Sequence, residues 1–467
     1  MKKAVLLKTD SLFLEEVCPK QIKLNKDDYL LRISLLREAM KAHSIDFTVI
    51  FGDREHFANI EYFCSYDCRF EEGILIVPLT GTPTILVGNE GMSYSAIIPF
   101  EVNRVFYRNF SLQGQPRKQE EKLVEIFRTA GILKESYVGV CGYKYFYPEY
   151  TPADPAHTFD VPAYIMNELF EAADEQKVIN TTEMLTGLSG GIRLFVHSAK
   201  EIAQAEAAAC LSASVFLRMM KALKPGITEY ELSSSVGVGF APLSMYPMVN
   251  FGDEHISIGL ASPSENQSLE TGEPCSLCYG IRGCLTSRAA IAAKDEASMG
   301  HGLDRYLFSF YGKFFEAMSK WYETLKVGAT GNDLHWAVHN IIGAPEFGVT
   351  LNVGHYSGMD EWVNALSFDG SNFVVLDGAY MQVDIIASAG DPVRLAICED
   401  AVIVAGKELR DALSKEYPET YQRIMKRQQK IREVTGIEIS VDVLPLSNLN
   451  AVMFPFMMNL DQMFGLR

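Results

Sequence analysis

A ten-residue segment that occurs twice constrains this chain more than any other feature. Leu223-Lys224-Pro225-Gly226-Ile227-Thr228-Glu229-Tyr230-Glu231-Leu232 returns as Leu325-Lys326-Val327-Gly328-Ala329-Thr330-Gly331-Asn332-Asp333-Leu334. Each copy follows a long amphipathic pattern. Each has glycine where the chain must turn, threonine where a new helix needs its N-cap, and an acid three residues on. Two folds satisfy such a pattern. One is a pair of independent helix-turn-helix joints. The other is a pseudo-twofold domain of two α-hairpin-plus-sheet halves, with a cleft between them suited to a ligand.

The first half of the chain reads differently. Leu31, Leu35, Leu36 and Met40 recur at helical spacing, and Phe47-Thr48-Val49-Ile50-Phe51 is a buried-strand run. Residues 73–78 and 84–87 read as a strand pair around Thr80-Gly81-Thr82-Pro83. Residues 117–132 suggest a helix, 137–140 a strand, and the Pro- and Tyr-rich 146–157 a loop. Alternating helix and strand implies a layered α/β domain. Residues 187–191 (GLSGG) are the expected linker, and a long helix starts near Ser198 with Ser198-Ala199-Lys200-Glu201 as its capping box. At 467 residues two domains are the default, which we place at 1–188 and 189–467.

Composition excludes several functions. With 48% hydrophobic and 22% charged residues the chain is an ordinary soluble globular protein. A formal charge of −17 argues against nucleic-acid partners, which demand clustered Lys and Arg. Nine scattered cysteines argue against a disulfide framework and for a cytoplasmic location. Cys64 and Cys68 read as packing residues, and Cys275-x2-Cys278-x5-Cys284 lacks the second pair that a zinc ribbon needs. MKKAVLLK is too short in its apolar run for a signal peptide, and no stretch of ~18 apolar residues would span a membrane.

Chemistry concentrates late in the chain. Gly354-His355-Tyr356-Ser357-Gly358, Met381-Gln382-Val383-Asp384 and Cys398-Glu399-Asp400 each set a potential ligand on or beside an apolar β-like run. One imidazole and two carboxylates converging from neighbouring strands can hold a hard divalent metal.

The repeated turn, the GHxxG segment and the late acid before an apolar strand together resemble the creatinase/prolidase/aminopeptidase P family (peptidase family M24), whose fold is called pita-bread. The segments 32–50, 59–62 and 73–87 resemble that family's N-terminal domain, and 193–202 the opening of its catalytic domain. The resemblance implies a creatinase-type α/β N-terminal domain followed by a pita-bread C-terminal domain, a homodimer, and a small peptide or small-molecule substrate. The family's peptidases hold two metals with Asp, Asp, His, Glu and Glu. Here Cys278 falls at the first Asp, Ser287 at the second, His355 at the His, Asp384 at the first Glu and Glu399 at the last. Two catalytic histidines are replaced near Ala261 and Trp362, with His255 six residues before Ala261.

A serine hydroxyl cannot bridge two ions, so a dinuclear site is not expected. Three readings stay open. The first is a hydrolase of the Xaa-Pro aminopeptidase type acting on a peptide or other C–N bond, with one divalent ion, Zn or Mn, on His355, Asp384, Glu399 and Cys278. The second is a metal-free, creatinase-like C–N hydrolase with His355, Glu399 and Asp384 in acid–base roles. The third is a catalytically silent binding protein. Arg282, Arg288 and Arg394 are candidates either for gripping a substrate carboxylate or for neutralising the leftover acids, and His255 is a candidate for substrate contact. The tail reads as a solvated charged helix (Arg423, Lys426, Arg427, Lys430), then an apolar end, 452–458, that must cover a core or a partner.

Overall fold

The computed structural model describes residues 2–115, 121–151, 153–236, 241–300 and 302–467. Two compact units result: Met1–Lys23 with Leu194–Arg467, and Leu24–Arg193. The division differs from a cut at 188/189 because the first strand, β1 (Ala4–Lys8), pairs antiparallel with the last strand of the chain, from Ala4 opposite Leu466 to Lys8 opposite Gln462.

The smaller unit is a layered α/β domain. Helix α1 (Lys26–Ala42) starts in a complete capping box of Asn25 and Asp28. It is followed by β2 (Phe47–Gly52), α2 (Ala58–Cys64), β3 (Gly73–Pro78), β4 (Thr84–Val87), α3 (Asn89–Tyr94) and β5 (Asn103–Phe106). Then come α4 (Leu123–Thr129), β6 (Val138–Cys141), α5 (Ala163–Ala172), β7 (Val178–Asn180) and α6 (Glu183–Thr186). The sheet order is β5-β4-β3-β2-β6-β7. Leu123, Phe127, Ile165 and Leu169 of α4 and α5 pack on Val49, Ile76 and Val140 of the sheet. The expected helix from 117 begins at Leu123, and residues 116–120 lie outside those described.

In the larger unit the repeat governs the architecture. The first half runs α7 (Ala199–Ala222), α8 (Glu229–Ser235), β8 (Leu243–Phe251), α9 (Gly252–Ile258), β9 (Pro274–Ile281) and β10 (Cys284–Ile291). The second runs α10 (Lys313–Thr324), α11 (Gly331–Ile342), β11 (His355–Tyr356), β12 (Ala379–Ala389) and β13 (Arg394–Val404). The turn chemistry is the same twice. Thr228 with Glu231 and Thr330 with Asp333 each form a complete capping box. Gly226 and Gly328 both adopt positive φ, +84° and +86°. Their amides donate to Leu269 O and Val375 O, and the returning Leu269 and Val375 amides donate to Ile227 O and Ala329 O. Side-chain caps and glycine turns are local chemistry, which is why the sequence announces them.

The strands order as β11-β12-β13-β10-β9-β8, so the halves meet at the β13–β10 pair. One face of this sheet is covered by helices. Ser212 of α7 donates to Tyr279 O (2.9 Å) and lies 3.0 Å from Thr286 Oγ1. Trp321 of α10 donates to Val353 O at 2.9 Å. Chain closure uses α12 (Lys407–Glu416), α13 (Pro418–Lys430), β14 (Val443–Pro445) and β15 (Gln462–Leu466).

The apolar tail covers the unit's own core: Val452, Met453, Phe454, Phe456 and Met457 are buried, and Met457 N donates to Ile291 O at 2.8 Å. The charged helix before it is not wholly solvated. Arg427 is buried, with its guanidinium 2.7 Å from Glu206 of α7, because α13 packs against that helix through a buried ion-pair network. Among the described residues no helix is long and apolar enough to cross a membrane. Thr228→Ala and Thr330→Ala should each lower unfolding free energy in urea by about 1 kcal/mol, and the double variant should lose the sum, since the caps serve separate halves.

Candidate functional site

Strand register assembles the site. Cys278 of β9 faces Ser287 of β10, Ser287 faces Glu399 of β13, and Glu399 faces Asp384 of β12. These four side chains form one row across four strands on the face opposite Thr286 and the helices. Asp384 and Glu399 occupy the same places in the second half that Cys278 and Ser287 occupy in the first. One half of the row is acidic and the other is neutral.

His355 reaches the acidic half because of the glycine before it. Gly354 adopts φ +86°, and a Cβ there would sit 2.7 Å from the Trp321 ring. The chain then turns into β11, where His355 pairs with Gln382 of β12. Tyr356 O lies 3.0 Å from His355 Nδ1, and the Trp362 ring stacks on the imidazole at 4.2 Å and 19°. With Nδ1 donating, the lone pair of Nε2 is fixed and aimed.

Its targets are three carboxylates. Nε2 lies 3.3 Å from Glu361 Oε1, 3.7 Å from Glu399 Oε1 and 3.9 Å from Asp384 Oδ2. No hydrogen bond of good geometry engages Nε2, and Asp384 Oδ1 is likewise buried without a partner. Gln382 holds Glu399 Oε1 at 2.7 Å and accepts from Leu285 N through its own oxygen.

Burial drives the electrostatics. It raises Asp384 to about 6 and Glu399 well above the carboxylate range, where Asp384 adds repulsion. Burial opposes charge on His355 too, yet Glu361 and Glu399 outweigh it and hold the imidazole well above its usual range. Burial also pushes Glu361 up, but His355 more than offsets this and lowers it. A proton or a metal ion answers the same electrostatic need at Nε2.

The residues present therefore fit one cation. His355, Glu361 and Glu399 offer ligand atoms within 4.8 Å of one another, with Asp384 beside them. Glu361 was not among the residues singled out from the sequence. Its only sequence signal is the acid pair Asp360-Glu361, which begins two residues after the GHxxG segment.

The other candidates stand elsewhere. Cys278 is two strands from Glu399, 3.9 Å from Met245 Sδ, and burial pushes its thiol well above the ordinary range. It stands outside the group of ligand atoms that His355, Glu361 and Glu399 bring together. Ser287 donates to Leu277 O at 3.2 Å. Arg288 points to the helix-covered face, where five N–H bonds reach Val452 O, Ser287 O, Glu399 O, Asp400 Oδ2 and Leu449 O. With every donor engaged it has none for a substrate.

Arg394 opens β13 on that same face, five residues from Glu399. It donates to Pro392 O and lies over the Tyr306 ring at 4.2 Å. Arg282 sits in the turn between β9 and β10, five residues from Ser287. His255 of α9 is held by Glu229, whose carboxylate oxygens lie 2.9 and 2.8 Å from Nδ1. The same carboxylate accepts from Phe251 N and Ser264 N, so this pair braces α9 against α8.

The sequence matches no family profile and no curated protein. Solved structures do match in shape. A prolidase from Thermococcus sibiricus is 16% identical, covering 81% of this chain and 95% of that one at a TM-score of 0.62. An Xaa-Pro dipeptidase from Bacillus anthracis is 17% identical, covering 81% and 96% at 0.60. This chain has the prolidase fold. The N-terminal domain of the FACT complex subunit SPT16 from chickpea shares that fold too, at 12% identity, covering 84% and 99% with a TM-score of 0.57. The pita-bread expectation is thus met, as is the mixed α/β class.

Arg288→Met should lower stability by about 3–5 kcal/mol, because buried Asp400 would lose its cation. A denaturant titration checks this. A substrate-gripping arginine would instead change KM and leave unfolding alone.

Proposed function

We propose that this chain is a hydrolase of peptide or other C–N bonds built around a single divalent cation, zinc or manganese. One observation carries the reading: His355 Nε2 is fixed by its own ring's Nδ1 bond and aimed, without a hydrogen bond, at three buried or half-buried carboxylates. An anion-rich cluster around a lone pair is the donor set of a cation site. The prolidase fold supports the reaction class.

His355, Glu361 and Glu399 would hold the ion, with Asp384 beside them. Bound there, it would supply Lewis acidity toward a carbonyl oxygen and acidify water. The chain's own groups do the rest. Gln382 fixes the orientation of Glu399. Trp362 covers one face of the imidazole and keeps water from it. Glu361, 25% exposed in its side chain, is the carboxylate of the set that meets solvent.

A second reading, a binding protein without turnover, is favoured by the neutral half of the row, Cys278 and Ser287. Its shape kinship with a subunit of a larger complex agrees.

Metal analysis of protein purified without chelator, paired with assays on Xaa-Pro dipeptides and small guanidino compounds, separates these. We expect about one ion per chain, turnover of at least one substrate class, and loss of both in His355→Ala. Glu361→Gln should weaken the ion at least about tenfold. Turnover by metal-free protein would instead support creatinase-like acid–base chemistry. A folded protein with neither metal nor turnover would support binding.

A further inference from the structure

We infer that Arg394, with Arg305 and Tyr311, forms a binding site for a phosphate group, free or as a monoester, at the hairpin end of β12 and β13 on the helix-covered face. The site is separate from the His355 cluster and stands whether or not that cluster holds a cation.

Local backbone brings the walls together. Asp304–Tyr306 form a 3₁₀ turn, and Leu307–Gly312 continue as a π-helix into α10. The wider π turn sets positions i, i+4 and i+5 on one side, and Tyr306, Phe310 and Tyr311 are such a set. The Arg394 guanidinium lies 4.2 Å from the centre of the Tyr306 ring and 5.4 Å from that of Phe310. Phe347 stacks on Phe310 at 5.5 Å and 14° and backs that wall. Arg305 also lies over the Tyr306 ring, at 4.9 Å, so two guanidinium groups meet at one tyrosine.

Neither cation has a counterion. Among the described residues no carboxylate lies within ion-pair distance of Arg394 or Arg305. Arg288 and Arg427, also buried, each meet one. The chain carries 59 acids against 42 Lys and Arg, so a shortage of carboxylates does not explain the difference. Ring faces attract the flat of a guanidinium but leave its N–H edge unmatched. Arg394 is only 8% exposed, yet among the described residues its one hydrogen bond runs from Nη1 to Pro392 O. Nε is buried without a partner, and the buried Tyr311 hydroxyl makes no hydrogen bond of good geometry. Burial raises the Tyr311 phenol and the Arg394 charge opposes the rise, so the hydroxyl stands within the field of the guanidinium. Nη2 makes no hydrogen bond and is not sealed from solvent, and Arg305 is exposed. A buried cation without an anion is costly. Two guanidinium charges and a hydroxyl donor match a dianion with several acceptor oxygens, which a phosphate is and a carboxylate is not.

Calorimetry on full-length protein, with and without chelator, tests this with inorganic phosphate, methyl phosphate and acetate. Phosphate should saturate one site per chain, at least about tenfold tighter than acetate, and chelator should change nothing. A tighter inorganic phosphate assigns the free ion, and a tighter methyl phosphate assigns a monoester. Arg394→Met should weaken phosphate at least about tenfold, and Arg305→Ala and Tyr311→Phe several-fold each. Arg305 is exposed and Tyr311→Phe keeps its ring, so these two carry the test if Arg394→Met does not fold. Absence of saturable binding overturns the inference, as does acetate binding as tightly as phosphate. Affinity unchanged in both Arg305→Ala and Tyr311→Phe also overturns it and marks an adventitious ion only. Binding abolished by chelator places the phosphate on a metal and overturns the inference while leaving the cation reading standing.

Discussion

Slipping β13 by one residue against its neighbours would turn Glu399 toward the helices and bring Asp400 onto the site face. The register of β12, β13 and β10 is thus the constraint on which the site depends. It is fixed by what lies on the covered side. Asp400 and Arg288 meet there at 2.6 Å, and the same guanidinium ties down the carbonyls of Leu449 and Val452 from the closing segment. A buried pair of that kind adds little stability over apolar residues, but a broken one is costly. It therefore penalises the wrong register more than it rewards the right one.

The two faces of the sheet handle charge in opposite ways. On the helix side the strand acid Asp400 has a cation, Arg288, at its Oδ2, although its Oδ1 is buried without a hydrogen bond. On the site side three carboxylates share one imidazole, and two buried polar atoms, His355 Nε2 and Asp384 Oδ1, have no partner. Such imbalance is expensive in a low-dielectric interior unless a cation or proton resolves it. The neutral positions at Cys278 and Ser287 limit how much positive charge the row can balance. Half of a dinuclear ligand set leaves charge enough for one ion.

Local chemistry was legible in the sequence. The glycine turns and threonine caps of the repeat follow rules that operate over four residues, and they announced the pseudo-twofold halves. His355, Asp384 and Glu399 were legible because each sits on or beside an apolar strand of fixed period. Residues whose role is set by tertiary packing were not. Arg288 alternates with Ser287, so its strand neighbour marks the cleft while Arg288 itself faces away. His255 looked like a cleft residue, and only the fold shows Glu229 waiting for it. Glu361 stands in the irregular segment between β11 and β12, where no period predicts direction. The pairing of β1 with β15 joins the two ends of the chain, which no short-range pattern encodes.

Manganese(II) electron paramagnetic resonance, titrated from sub-stoichiometric to threefold excess, tests the central claim most directly. The account predicts a six-line spectrum of isolated ions saturating near one tight site per chain, and its loss in Glu399→Gln. A spin-coupled multiline signal developing at two ions per chain would contradict it, since that requires the bridging carboxylate that Ser287 cannot supply.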